Sequence, residues 1–290
     1  MINKLFRYTL ITAGFIILAY IASTAFLLLN ESSMVFSGAS LGEQGQQVPS
    51  PTADIPWDTL RVQADDGKPV FLLESHLEKS ETRPWAIFFH GNGLLVGSSP
   101  CVQRYQLLRE AGFNVLAVEY RGYGISSELT PSEEGVFADG KAGWRYLTQK
   151  LSVNPNQIVL YGWSLGSGVA THLASRVQPA GLITEGAFTS LPDVAQDIYP
   201  WIPTFLLMQN RFNNLARAKS LSLPWLMLHS RNDNIIPFSH AKALAAAAEN
   251  DNLITLGGSH NTIDQKKALI ALRKFHNRIF RNNLSSISPK

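Results

Sequence analysis

Four short segments carry residue types able to break an acyl bond. The first is Gly162-Trp163-Ser164-Leu165-Gly166, which follows the β-rich run Ile158-Val159-Leu160-Tyr161 and precedes a helix-compatible stretch at 167–176. A serine at the tip of a tight strand-to-helix turn presents its hydroxyl as a nucleophile, and flanking glycines relieve the crowding that side chains would cause there. The following helix N-terminus favours negative charge developing beside it. A glycine-rich turn with an inert serine is the plainer alternative; the strand–turn–helix context favours Ser164 as nucleophile.

The second segment is His90-Gly91-Asn92-Gly93, directly after Ala86-Ile87-Phe88-Phe89. Acyl transfer needs two N–H groups aimed at the oxyanion that forms in the transition state. The backbone N–H groups of Leu165 and Asn92 are the expected donors, with Gly93 as a nearby alternative. His90 reads as a brace for this loop, since no second ligand lies at a metal-binding spacing from it. The third segment, His229-Ser230-Arg231-Asn232-Asp233, follows Pro224-Trp225-Leu226-Met227-Leu228 and supplies Asp233 as the carboxylate that orients a histidine. The alternative for Asp233 is a solvated turn residue, and His229 reads as structural. The fourth, Gly257-Gly258-Ser259-His260-Asn261, puts His260 on a glycine-rich loop before the last helical stretch, where it can return toward Ser164 as general base.

The elements that must position these segments are legible as short apolar runs. Strands are expected at 59–63, 70–74, 85–89, 115–119, 157–161, 181–184, 225–228 and 253–256. The turn signal Asp66-Gly67 makes the first two a hairpin. Helices are expected at 101–111, 135–150, 166–177, 239–250 and 263–280. The alternation predicts an α/β fold with a mostly parallel eight-stranded sheet and helices on both faces. Ligands in such sheets sit beyond the carboxyl ends of the strands, and all four segments fall at such ends.

Composition sets the outer bounds. The chain has 290 residues, enough for one large α/β domain, with 45% hydrophobic and 16% charged residues. Part of its net charge of +3 comes from Lys4 and Arg7 at the N-terminus, leaving no electrostatic footprint for nucleic acid. Cys101, the single cysteine, excludes an intrachain disulfide and reads as an inert thiol. Residues 8–29 carry no charge over about 22 positions, long enough to cross a bilayer as a helix. Lys4 and Arg7 precede the span and no Lys or Arg follows until Arg61. The charge asymmetry predicts a cytoplasmic N-terminus and an extracytoplasmic domain, periplasmic in a bacterium. A cleaved signal peptide, with Ser23-Thr24-Ala25 as a small-residue site, is the rival to an uncleaved signal anchor.

The expected division is a transmembrane signal anchor at 1–30, a linker at 31–56, a hydrolase-like domain at 57–282 and a tail at 283–290. Residues 193–222 form a possible small cap.

Chain order Ser164, Asp233, His260 is that of the α/β-hydrolases, and residues 57–280 resemble that superfamily. More narrowly, the chain is similar to the membrane-anchored bud-emergence-type family, related to the α/β-hydrolase-domain proteins that include protein depalmitoylases. That similarity rests on His90-Gly91-Asn92-Gly93, Tyr120-Arg121-Gly122-Tyr123-Gly124-Ile125-Ser126, the Ser164 turn, and Phe188-Thr189-Ser190-Leu191. Ser230 departs from the glycine usual in related sequences, and an extracytoplasmic domain departs from depalmitoylases of the cytosol. The resemblance implies a serine hydrolase of esters or thioesters, working through an acyl-enzyme on a small-molecule or acyl substrate without metal or cofactor. A peptidase or amidase of the same fold is the second reading. A membrane-tethered scaffold with an unused triad is the third, and four intact motifs speak against it.

Overall fold

Eight apolar runs pair into one sheet. They are β1 (Asp58–Gln63), β2 (Pro69–Ser75), β3 (Trp85–Phe89), β4 (Asn114–Glu119), β5 (Ile158–Trp163), β6 (Gly181–Glu185), β7 (Trp225–Ser230) and β8 (Leu253–Leu256). Their spatial order is β1-β2-β4-β3-β5-β6-β7-β8 in a computed structural model that describes residues 2–42 and 55–281. β2 runs antiparallel to both β1 and β4, and all other pairs are parallel. The β1–β2 turn follows the Asp66-Gly67 signal: Gly67 takes a φ of 74° and the Asp66 carboxylate accepts from the Lys68 N–H at 3.2 Å.

The helices are α1 (Ile2–Leu29), α2 (Glu31–Val35), α3 (Ala39–Gly42), α4 (Ser99–Glu110), α5 (Glu133–Arg145), α6 (Leu165–Ala174), α7 (Leu191–Ile198), α8 (Thr204–Leu207), α9 (Asn214–Ala218), α10 (Phe238–Ala247) and α11 (Gln265–His276). Successive strand residues point to opposite faces, so each face has its own core. Ile87 and Phe89 of β3 pack with Val136 of α5 and Val169 of α6, while Ala86 and Phe88 pack with Tyr105 of α4 and Leu272 of α11. A sheet covered on both sides explains why its central strands read as continuous apolar runs.

Several elements differ from the expected bounds for a common reason. β5 continues two residues past Tyr161 because Gly162 and Trp163 still pair with Thr184 and Glu185. β7 reaches Ser230 because that residue pairs with Leu256. Local propensity ends a strand at the first glycine or polar residue, whereas the ladder ends where the partner strand does.

The largest difference concerns the linker. Residues 43–54 of it, and the tail at 283–290, lie outside the described residues. In the described part, however, residues 31–42 form α2 and α3 and pack onto the domain instead of standing free. Phe36 is buried edge-on against Phe212, with ring centroids 6.2 Å apart. The buried Glu31 carboxylate accepts from the Gln209 and Asn210 backbone N–H groups and from Asn210 Nδ2. Such single anchors leave no periodic signal in sequence. Glu31→Ala strands those three donors, at a cost of about 1–3 kcal/mol. The full-length Glu31→Ala protein is therefore expected to melt at a lower temperature than the parent. An unchanged melting temperature would mean that Val35 and Phe36 hold the segment without the carboxylate.

Candidate active site

The carboxyl ends of β3, β5, β6, β7 and β8, neighbours in the sheet, meet on one side and bring together what the sequence separates. β5 turns into α6 at Ser164, whose φ of 54° and ψ of −120° are strained for a residue with a side chain. The turn closes only around glycine. A Cβ on Gly162 would lie 2.3 Å from the Gly166 carbonyl oxygen, and one on Gly166 would lie 2.1 Å from that of Phe89. The Ser164 N–H donates to the Glu185 carbonyl at 2.9 Å, fixing the turn to the end of β6.

Beneath the turn is a buried ion pair with no sequence motif to announce it. Arg104 on α4 is fully buried; its Nε donates to Glu185 Oε2 at 2.9 Å and its Nη2 to Oε1. The guanidinium lies 3.4 Å over the Trp163 ring, and the Tyr161 hydroxyl donates to the same carboxylate. Burial pushes the Arg104 pKa down, but Glu185 outweighs it and holds the group above its ordinary value. The one available hint was a glutamate closing the otherwise uncharged β6.

His260 reaches the turn from the loop after β8. Its Nε2 lies 2.8 Å from Ser164 Oγ, and its Nδ1 lies 2.7 Å from Asp233 Oδ2. The other oxygen of Asp233 accepts from the Ile235 and Ile236 N–H groups at 3.0 and 2.8 Å. Burial alone would raise the Asp233 pKa; the hydrogen bond and charge of His260, with those two amides, bring it below the usual carboxylate value. An anionic Asp233 holds the Nδ1–H tautomer of His260, leaving Nε2 free to take a proton from the Ser164 hydroxyl. Gly186, at the end of β6 with a φ of 57°, makes room: a Cβ there would come within 3.0 Å of His260 Cε1.

Residues without an expected chemical role support this chain. Ser230 donates to the Gly258 carbonyl at 2.6 Å, tying the Asp233 loop to the His260 loop. His229 Nε2 lies 2.9 Å from the Ile236 carbonyl oxygen, and burial pushes its pKa down, so it serves as a neutral brace. Cys101 is buried, which pushes its thiol pKa up and keeps it unreactive.

Asn92 and Leu165 both line the cavity into which Ser164 opens. The Asn92 peptide is held through its carbonyl, which accepts from the Gly38 N–H at 2.7 Å and the Tyr123 hydroxyl at 2.9 Å. A Cβ on Gly38 would lie 2.7 Å from that same oxygen, so the segment after α1 presses directly on this loop. His90 is fully buried beneath, with Nδ1 2.9 Å from the Gly91 carbonyl oxygen, Nε2 2.9 Å from Glu119 Oε1, and its ring against Tyr120 and Tyr123. The Tyr120–Gly124 motif thus braces the Asn92 loop.

The cavity holds about 240 Å³ and is mainly apolar. Its lining includes Leu191, Val194 and Ile198 of α7 and Thr24, Leu27 and Leu28 of α1. The contribution of α1 was not legible in sequence, because an apolar helix read as a membrane span shows no preference for packing on a domain.

A mostly parallel sheet with a strained serine turn at the end of a central strand defines an α/β-hydrolase-fold protein. The family model described as alpha/beta hydrolase fold matches residues 84–212. The chain is 36% identical over 173 residues to an uncharacterized Mycobacterium tuberculosis protein, covering 58% of this chain and 61% of that one. It is 32% identical over 187 residues to the lysophosphatidylserine lipase ABHD12 of Danio rerio, covering 58% of this chain and 48% of that one. The Pyrococcus furiosus esterase Pf2001 shares the fold, with a TM-score of 0.65 and 16% identity over 81% of this chain and 98% of that one. The chain thus spans roughly half to three fifths of the curated relatives it matches.

Proposed function

We propose that the protein is a serine hydrolase that cleaves carboxylic esters or thioesters of apolar acyl groups through an acyl-enzyme. The observation that carries this reading is the hydrogen-bonded chain Ser164–His260–Asp233 opening onto an apolar cavity. Ser164 Oγ attacks the carbonyl carbon while His260 Nε2 takes its proton, and Asp233 stabilises the imidazolium. The carbonyl oxygen, now an oxyanion, sits between the N–H groups of Leu165 and Asn92. The intermediate collapses, His260 returns the proton to the leaving alcohol or thiol, and the acyl group stays on Ser164. Water, deprotonated by His260, then releases the acid and restores the serine. The lipase and esterase names among similar proteins support an ester of a lipid kind, and the apolar walls suit its acyl chain.

The test is a hydrolysis panel of acyl esters, acyl thioesters and aminoacyl amides, run beside labelling by a fluorophosphonate probe. Labelling at Ser164 with turnover confined to esters or thioesters is the expected result. Turnover confined to the amides would replace the reading by that of a peptidase, and a protein that neither labels nor turns over would be a scaffold.

The oxyanion assignment makes a sharper forecast. Asn92→Ala keeps the backbone N–H, whereas Asn92→Pro removes it. Loss of one such donor costs roughly 10²–10³ in kcat, so a folded proline variant is expected to fall by that factor and the alanine variant far less. Equal losses would place the donor in the Asn92 side chain or elsewhere.

Anchoring completes the proposal. Phe6–Leu29 is long and apolar enough to cross a membrane. Lys4 and Arg7, before and at the N-terminal edge of that span, favour a cytoplasmic N-terminus and put the catalytic domain on the other side. An alkaline phosphatase fused to the C-terminus is expected to be active in a bacterial host, and an inactive fusion would reverse the orientation.

A further inference from the structure

The cap between β6 and β7 carries a tip that water does not explain. Trp201, Phe205 and Leu206 are exposed, Leu206 at 82%, and no charged residue occurs from Ile198 to Asn210. This tip touches the membrane-span candidate itself: the Tyr20 hydroxyl on α1 donates to the Trp201 carbonyl at 3.1 Å. The contact fixes how deep the tip lies, given the membrane anchoring proposed above, on which this inference rests.

At 1.5 Å per residue, a hydrocarbon core of about 30 Å takes about 20 residues of helix. Counted from the end of the basic segment at Arg7, that core closes near Leu27. Tyr20 then lies about 10 Å below its surface on the domain's side. Raising Tyr20 to the surface instead would leave residues 8–19 to span the core, only about 18 Å of helix. The tip is therefore within the acyl region of the leaflet that faces the domain.

Much of the tip's backbone polarity is met internally or by neighbouring side chains, which suits a place where an unpaired carbonyl or N–H is costly. Pro200 and Pro203 have no N–H to satisfy. The Pro200, Trp201 and Phe205 carbonyls accept from Gln196 Nε2, the Tyr20 hydroxyl and Arg211 Nη2. The Ile202, Thr204, Leu206 and Met208 N–H groups each donate to a carbonyl within the tip.

We propose that the cap tip is immersed in the lipid leaflet beside α1, and that the cavity, lined by both α1 and α7, takes its acyl chain sideways from that leaflet. A substrate held in the bilayer reaches Ser164 without its chain crossing water.

The test uses the full chain reconstituted in phosphatidylcholine vesicles containing doxyl-labelled lipids. Single cysteines replace Phe205, Leu206, Phe15 and Lys150, each carrying a nitrobenzoxadiazole fluorophore; Cys101 is buried and does not compete. Phe15 reports insertion of α1, and Lys150 reports water at the far end of the sheet. Strong quenching of the labels at 205 and 206, with blue-shifted emission, is expected. Quenching at 15, with 205 and 206 quenched no more than 150, would overturn immersion while keeping the anchor. No quenching at 15 would overturn both. In parallel, the double variant Trp201→Glu, Leu206→Glu is expected to lose about tenfold in turnover of a vesicle-borne long-chain ester while keeping turnover of a water-soluble short-chain ester. Equal turnover of both substrates by variant and parent would sink lateral access.

Discussion

A folded Ser164→Ala protein is expected to lose hydrolysis by roughly four to six orders of magnitude, since in the proposed mechanism the attacking hydroxyl is the one hydrogen-bonded to His260 Nε2. His260→Ala is expected to be nearly as damaging, because Ser164 Oγ has no other base at its 2.8 Å contact. Asp233→Asn keeps the shape of the loop but offers an amide where His260 Nδ1–H needs an anion, a change worth roughly 10⁴ in rate. In the proposed mechanism the three residues act as one unit, so the double variant Ser164→Ala, His260→Ala should be no worse than Ser164→Ala alone. Single-turnover assays with a chromogenic acyl ester read the loss, and circular dichroism checks the fold. Parental turnover by any folded single variant would remove that residue from the proposed mechanism. A double variant far slower than either single one would mean that the two residues act independently.

The second large effect is on stability. Arg104→Ala leaves the Glu185 carboxylate buried with only the Tyr161 hydroxyl to satisfy it, and breaking a buried pair from one side costs about 3–5 kcal/mol. Removing both charges together, as in Arg104→Met with Glu185→Leu, is expected to recover most of that loss, because the desolvation of two ions disappears with them. Denaturant midpoints of the two variants and the parent make the comparison. If the double variant is no more stable than Arg104→Ala, the guanidinium contributes through its stacking on Trp163 rather than through charge compensation.

The motifs most readily read were those whose chemistry depends on local backbone. The Ser164 turn needs glycine at 162 for a local reason, since a Cβ there would lie 2.3 Å from the Gly166 carbonyl oxygen, whereas at 166 the obstacle is the Phe89 carbonyl of β3, 2.1 Å from where a Cβ would sit. The eight strands were legible because each is a short apolar run between turn signals. Their ends were not, because Gly162, Trp163 and Ser230 belong to strands only by virtue of partners elsewhere in the chain. Ser230 appeared as a neutral departure from a usual glycine, yet its hydroxyl joins two loops that are 28 residues apart in sequence.

What the sequence determined by itself was the inventory and order of chemical groups: a serine, an acid and a histidine, each at the end of a strand, in the order a doubly wound sheet brings together. Such information is local, since strand, turn and helix preferences are set by nearest neighbours along the chain. Only the tertiary structure decided what stands behind and around those groups. Arg104 of α4 meets Glu185 at the end of β6 across 81 residues of sequence. Gly38 meets Asn92 because residues 31–42 fold back onto the domain. The last turns of α1 line the cavity together with α7. No short-range rule encodes any of these pairings, for each depends on two segments far apart in sequence being pressed together by the burial of their apolar faces.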